Sequence, residues 1–289
     1  MRHALVFGAS GQIGHPLLHR LQREGWRITA VSRRAHVDEP GVHWVLGQFG
    51  QSGTLPQRVD AMFSCGPLDG FADWYAMSRI ECPRVVAFGS TSVDIKRGSA
   101  DAAERDVARR LREAEERVFA TAARTGAAAT LLRPTLMYGA GRDATLTRIA
   151  QLAQRWHRFP LPRGADGLRQ PVHVDDLAAA AFACASVAST HGKAYALPGG
   201  EALAYRDMVA RVLAVLRPPP ALVELPSPLF NLALFVAQLT GRATGLGEAA
   251  VRRMRSDIVF DAAPARQDFG YAPRAFRPTA EMFQPREDE

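Results

Sequence analysis

Three glycines at fixed spacing constrain this chain more than any other feature. Gly8, Gly11 and Gly14 stand in the run Val6-Phe7-Gly8-Ala9-Ser10-Gly11-Gln12-Ile13-Gly14, directly after the apolar stretch 4–7 and directly before a helical pattern. Glycine at the first position lets a chain reverse out of a strand, at the second lets phosphates approach the backbone, and at the third lets helix and strand pack closely. The amides that open the following helix are then available to an anion. Ile13, Leu17, Leu18 and Leu21 recur at helical spacing, Gly25 stands where that helix ends, and 26–31 reads as a second strand. The spacing is GxxGxxG, shifted from the GxGxxG dinucleotide fingerprint, so the strand-turn-helix-strand order carries the assignment. Gly8, Ser10, Gly11, Gln12, Ile13 and Gly14 are therefore the expected contacts of a dinucleotide.

The residues after the second strand select the dinucleotide. NAD-binding chains usually carry a carboxylate there for the ribose hydroxyls, and this chain reads Ser32-Arg33-Arg34. A hydroxyl and two forked, permanently charged guanidinium groups suit a 2′-phosphate, which favours NADP over NAD. The alternative is a solvated loop pair with no ligand.

A length of 289 residues suffices for one large core with a smaller appended unit, and 47% hydrophobic with 22% charged residues exclude a disordered chain. The net charge of +7 comes largely from scattered arginines. No nucleic-acid module or zinc spacing accompanies them, so the chemistry suits anionic small molecules and no nucleic acid is expected. Cys65, Cys82 and Cys184 are odd in number and far apart, which argues against disulfides and metal and for a reducing, cytoplasmic setting. The apolar run 4–7 is too short for a signal peptide. The stretch 229–239 falls below the ~18 residues of a spanning helix. It reads as a packed helix, with a membrane-surface scaffold role, helped by Arg252, Arg253 and Arg255, as the alternative.

Strand signals at 4–7, 28–31, 42–46, 61–65, 84–89 and 130–133 alternate with helical segments at 71–81 and 101–125, the latter closed by Gly126. This is the pattern of an α/β, Rossmann-type doubly wound parallel sheet. Residues 1–158 form the expected nucleotide-binding domain, rejoined by 170–198. Residues 159–289 form a smaller substrate-side domain with proline-rich joints at 218–220 and 226–228. After Pro134, helices are expected at 144–157 and 175–187, and strands at 170–174 and 195–197. Asp175 is sited to cap the helix that follows it.

Five segments then carry a resemblance. Gly8 to Gly14, Phe88-Gly89-Ser90-Thr91-Ser92, Leu132-Arg133-Pro134-Thr135-Leu136-Met137-Tyr138-Gly139, Val172-His173-Val174-Asp175-Asp176 and Tyr195-Ala196-Leu197-Pro198-Gly199-Gly200 occur in the order found in extended short-chain dehydrogenases/reductases. The chain resembles that family, the nucleotide-sugar epimerases and dehydratases, over nearly its whole length. The resemblance implies that Pro134 lies beside the nicotinamide, that Cys65, Gly66 and Pro67 line the cofactor, and that 90–92 supply a hydroxyl near the reacting carbon. It also implies a homodimer through 101–125.

Two departures stand out. The family carries a tyrosine and, four residues later, a lysine at the start of the long helix, the ammonium lowering the pKa of a proton-relaying phenol. Aligned through Glu115 or Glu116, those positions hold Val107 and Leu111, or Ala108 and Arg112, and no tyrosine occurs between Tyr75 and Tyr138. Gln48 stands where the family often has an adenine-contacting aspartate; an amide still offers donor and acceptor. These features point to the atypical branch of the family.

Ser90, Thr91, Ser92 and Lys96 are the candidates for the missing chemistry, against strand-end capping for the hydroxyls and simple solvation for the lysine. Tyr138, Arg142, Arg163 and Arg169 are the candidate substrate contacts, the arginines because a nucleotide-sugar diphosphate needs forked cations. The expected function is an NADP-binding oxidoreductase or epimerase that transfers hydride to or from a nucleotide-sugar-like or carbonyl substrate. A catalytically silent sensor or assembly protein is the alternative.

Overall fold

The computed structural model describes residues 1–239 and 248–284. The first half alternates strand and helix: β1 (His3–Phe7), α1 (Gly14–Arg23), β2 (Arg27–Ser32), β3 (Val42–Gln48), β4 (Gln51–Ser52), β5 (Ala61–Ser64), α2 (Leu68–Met77) and β6 (Arg84–Phe88). The one-turn α3 (Ser92–Ile95), the long α4 (Ala102–Thr125) and β7 (Ala128–Pro134) complete it. There follow β8 (Met137–Tyr138), α5 (Leu146–Trp156), β9 (Arg158–Pro162), β10 (Leu168–Arg169), β11 (Val172–His173), α6 (Val174–Cys184) and β12 (Lys193–Leu197). The chain continues through β13 (Leu203–Ala204), α7 (Tyr205–Val215), β14 (Ala221–Leu225), α8 (Ser227–Leu239), α9 (Glu248–Arg255) and α10 (Ala263–Phe269).

The central sheet has the order β12-β7-β6-β5-β1-β2-β3-β4, parallel throughout except for the antiparallel edge strand β4. Chain direction across the sheet reverses at β1, which has β2 on one side and β5 on the other; ligands of doubly wound sheets bind outside such a switch point. Register sets the level of the site. Phe7 lies opposite Val31 and Ser64, so Gly8, Ser32 and Cys65 stand together at the carboxyl ends of their strands.

Helices cover both faces, which explains why β5 and β6 are buried along their whole length instead of alternating. Leu17 and Leu21 of α1 pack with Leu177 and Ala181 of α6 on one face. Phe71 of α2 and Val118 of α4 fill the other. Each such side chain contributes about 1.5–3 kcal/mol of burial. Asp101 caps α4 by accepting from the Ala103 amide, and Gly126 closes it at φ 72°. The second helix begins earlier than the pattern suggested and ends at Met77.

A third core gathers Tyr138, Leu146 and Ile149 with Leu161, Met208, Val212 and Phe276. It thus begins before residue 158, while Ala262, Ala265 and Tyr271 return to the core under β12. The expected boundary is crossed in both directions. The helix after β11 starts at Val174, so its cap is His173, whose ring Nδ1 accepts from the Asp175 amide at 3.1 Å, and not Asp175. Among the described residues no helix is long and apolar enough to cross a membrane. The apolar stretch 229–239 is helical as expected, yet Leu229 and Leu232 are 54% and 60% exposed.

Candidate functional site

The glycine turn is built as its spacing implies. Gly8 adopts φ 67°, and a side chain there would meet the Cys65 and Gly66 backbone at 3.0 Å. Gly14 permits the close approach of α1, since a Cβ would lie 2.1 Å from the Gly8 carbonyl oxygen. At Gly11 a Cβ would touch only the Gly8 carbonyl, with its oxygen at 3.0 Å, leaving that side open to a ligand. The Gly11 amide closes the turn on Gly8 O at 2.9 Å, and α1 opens with no side-chain cap and no acidic residue in its first turn. The helix dipole there is left for an anion. Gln12 Oε1 and Ser64 Oγ are buried without a hydrogen-bond partner, which suits a polar ligand that completes the site.

Cys65, Gly66 and Pro67 leave β5 directly against this turn. Burial pushes the Cys65 thiol up to about 12, so it stays protonated and unreactive. On the opposite side, Ser10 Oγ and Ser32 Oγ are 3.0 Å apart. Ser32 Oγ also meets His36 Nε2 at 3.0 Å and accepts from the Arg34 amide at 3.1 Å. Arg33 and Arg34 are exposed beyond this pinned corner. Gln48 is exposed at the end of β3.

At the ends of β6 and β7 the candidate hydroxyls separate. Thr91 is buried, and its hydroxyl donates to Pro134 O at 3.1 Å, a tie between strand ends that takes it out of the catalytic set. Ser90 Oγ accepts from the Ser92 amide at 3.1 Å, and Ser92, half-buried, opens α3. Lys96 lies close enough to help hold Glu104 in its charged form.

Two ion pairs here were missed by the sequence reading. Glu115, 4% exposed, accepts from Arg133 Nε at 2.7 Å and from Nη2, and Arg133 Nη1 lies 3.6 Å from Asp94. Burial works against the Arg133 charge, and the bonds to Glu115 outweigh it, keeping the guanidinium protonated. Glu115 is thus the inward carboxylate of α4, which puts Val107 and Leu111 about two turns and one turn before it. Glu104, at the start of the same helix, accepts from Ser99 at 2.7 Å and pairs with Arg253 of α9 at 2.6 Å. Only the recurrence of a glutamate within the apolar stripe Ala108, Leu111, Val118 and Ala122 hinted at the first pair.

The substrate candidates scatter. Tyr138 is fully buried in the third core, edge-on to His173 and Phe276; burial raises its pKa to about 12. Arg169 is buried too. Its guanidinium donates to the carbonyls of Leu168, Ser256 and Arg253 and lies over Tyr205, so it braces backbone and leaves the substrate set. Arg163 is exposed after β9. Arg142 alone reaches the glycine turn, donating from Nη1 to Ser10 O at 3.1 Å. Among the described residues no cluster of His, Cys, Asp and Glu suits a metal.

The strand order, the switch point at β1 and the glycine turn between β1 and α1 are those of a Rossmann-type doubly wound fold. The model of the NAD dependent epimerase/dehydratase family matches residues 4–62, the strand-turn-helix and the strands that follow. A curated 2-alkyl-3-oxoalkanoate reductase of Stenotrophomonas maltophilia is 30% identical over 174 residues, 56% of this chain and 51% of that protein. The match therefore spans about half of the relative's length. Among solved structures, an epimerase from Methanothermobacter thermautotrophicus superposes with TM-score 0.72 at 13% identity, over 98% of this chain and 90% of that one. MoeE5 in complex with UDP-glucuronic acid and NAD gives 0.70 at 19% identity, covering 98% and 97%. UDP-glucuronic acid 4-epimerase from Bacillus cereus in complex with NAD gives 0.70 at 10%, with the same coverage. In sequence over residues 4–62, and in fold over nearly its whole length, the chain resembles the NAD-dependent epimerases and dehydratases.

Proposed function

We propose that this chain is an NADP-preferring oxidoreductase or epimerase that moves hydride to or from a nucleotide-sugar-like or carbonyl substrate without the usual tyrosine and lysine. The open glycine turn, with its uncapped helix and two orphaned buried oxygens, is the observation that carries it. Bound there, a nicotinamide nucleotide supplies or accepts the hydride. The amides opening α1 hold its diphosphate, and Gly11 keeps a side chain out of the groove. Preference for the 2′-phosphate rests on Ser32 in place of a carboxylate and on the exposed Arg33 and Arg34. Ser90 and Ser92 orient the substrate oxygen, and Lys96 supplies a cation beside them. Arg142 and Arg163 are proposed for the substrate's anionic arm. Cytoplasmic placement rests on the three free thiols, and a homodimer through α4 is the assembly to test by sedimentation.

Fluorescence titration with NADPH and NADH tests the cofactor. Tighter NADPH binding, lost in Arg33→Ala/Arg34→Ala, supports the reading; equal affinities refute the preference, and no binding of either refutes the whole. A second reading, a sensor that binds nucleotide without turnover, is favoured by Val107 and Leu111 preceding Glu115 on α4. NADPH oxidation over a carbonyl and nucleotide-sugar panel, repeated with Ser92→Ala, separates the two.

A further inference from the structure

A row of hydrogen-bonding side chains runs from the glycine turn into the loop between β2 and β3. Ser32 is buried at the end of β2; its hydroxyl accepts from the Arg34 amide at 3.1 Å and lies 3.0 Å from both Ser10 Oγ and His36 Nε2. His36 is held for that contact. It is half-buried, its ring stacks on Trp44 with centroids 4.2 Å apart and planes at 25°, and the Trp44 amide donates to Asp38 Oδ1 at 2.7 Å, which ties the same loop to β3. The charged and titratable groups around it are Arg33, Arg34 and Asp38 of its own loop, His43 of β3, whose Nδ1 meets Asp38 at 2.7 Å, and Arg142, which donates to Ser10 O.

A hydroxyl has one proton and two lone pairs. With one lone pair of Ser32 taken by the Arg34 amide, Ser32 donates to one of its two remaining neighbours and accepts from the other. When His36 Nε2 is bare, Ser32 donates to it and accepts from Ser10, whose proton is then used inside the protein. When Nε2 carries a proton, it donates to Ser32, Ser32 donates to Ser10, and the Ser10 proton is left for a ligand. Ser10 stands in the turn between β1 and α1 beside the end of β2, where the adenosine ribose of a nucleotide lies once its diphosphate is on α1. A phosphate oxygen needs a donor there, whereas a ribose hydroxyl accepts or donates. We propose that His36 is a specificity-determining residue for the nucleotide: its ring proton, relayed through Ser32, turns the Ser10 hydroxyl into a donor to a 2′-phosphate. This role rests on the glycine turn holding a nicotinamide nucleotide.

Fluorescence titration of the full chain with NADPH and with NADH at about pH 6 and about pH 8 tests it, because histidine is the side chain that gains a ring proton over this range. In the parent the ratio of NADPH to NADH affinity should rise on acidification by at least about threefold more than in His36→Phe, whose ring keeps the stack on Trp44 and has no nitrogen. That variant retains Asp38, His43 and the titration of the phosphate itself, so the difference belongs to position 36. Ser32→Ala leaves the imidazole in place and should flatten the profile as His36→Phe does. A parent whose profile matches that of His36→Phe, or a parental profile in Ser32→Ala, overturns the relay while leaving the nucleotide site standing. Failure of the parent to bind either nucleotide refutes the site itself, and this role with it.

Discussion

Replacing Gly14 and Gly11 one at a time separates what the glycine turn does for folding from what it does for binding. In Gly14→Ala the new methyl would lie 2.1 Å from Gly8 O, 2.6 Å from Ala9 O and 2.7 Å from Ala9 Cα, all backbone atoms. Such contacts do not fall below 3.0 Å, so α1 and β1 must part by roughly 0.9 Å at a place where Leu17 and Leu21 are fully buried. Overpacking of this kind costs about 1–3 kcal/mol and more when only backbone can give, and we take about 3 kcal/mol. At about 2–4 °C per kcal/mol the melting temperature falls by about 6–12 °C. Gly11→Ala meets one atom at 3.0 Å and has no left-handed φ to strain. It should stay within about 1 kcal/mol of the parent yet lose at least about tenfold in NADPH affinity, because its methyl points to the open side where a phosphate approaches. Thermal denaturation and fluorescence titration on both variants decide. An unshifted melting temperature for Gly14→Ala, or parental affinity for Gly11→Ala, would refute the assignment of roles within the turn.

Glu115→Ala strands the Arg133 guanidinium and should cost about 2–4 kcal/mol in urea denaturation, below the usual penalty for breaking a buried pair because Arg133 is 24% exposed. Equal stability would mean that water already serves this charge. The Glu104 carboxyl is held below the usual glutamate range: burial raises it, and Ser99, Arg253 and Lys96 more than offset that. Its contribution is therefore present above the unfolded glutamate pKa and lost as pH falls through the folded value, so stability should drop on acidification below about pH 4.5. Glu104→Gln should flatten that slope, and an unchanged acid limb would remove the argument. Tyr271→Phe removes a buried hydroxyl that donates to Pro198 O at 2.8 Å and should cost about 1 kcal/mol by the same assay. A neutral result would show that the carbonyl finds another donor.

The parallel sheet was legible because its causes are local. Runs of buried apolar residues such as Ala4 to Phe7, a turn that only glycine can make, and the helix-closing Gly126 each act within a few residues, and each is where the sequence puts it. The glycine turn belongs with these. Arg169 shows where such reading ends. An arginine before a β-like segment has the same sequence appearance whether it faces a cleft or braces Arg253 O from inside, and the difference lies in a partner 84 residues away. Tyr138 fails the same way, since the third core that encloses it is assembled from α5, α7 and Phe276.

The same distinction bears on how such a site can work without a phenol and an ammonium on α4. A tyrosine and lysine pair is a local device, set by two residues one turn apart on one helix. What this chain has at the site is long-range: Glu115 held by Arg133 across 18 residues, and Glu104 held by Arg253 across 149. The first fixes the inner face of α4 under the strand ends, where a Cβ at Gly89 would lie 3.2 Å from Glu115 Oε1. The second ties the beginning of α4 to α9. Both carboxylates are engaged by arginines, and Glu104, held below the usual glutamate range, is a poor proton donor near neutral pH. Under the proposed function, proton transfer to a substrate oxygen would fall to Ser90, Ser92, Lys96 or water, and the two ion pairs would act by holding the helix against which those groups are set.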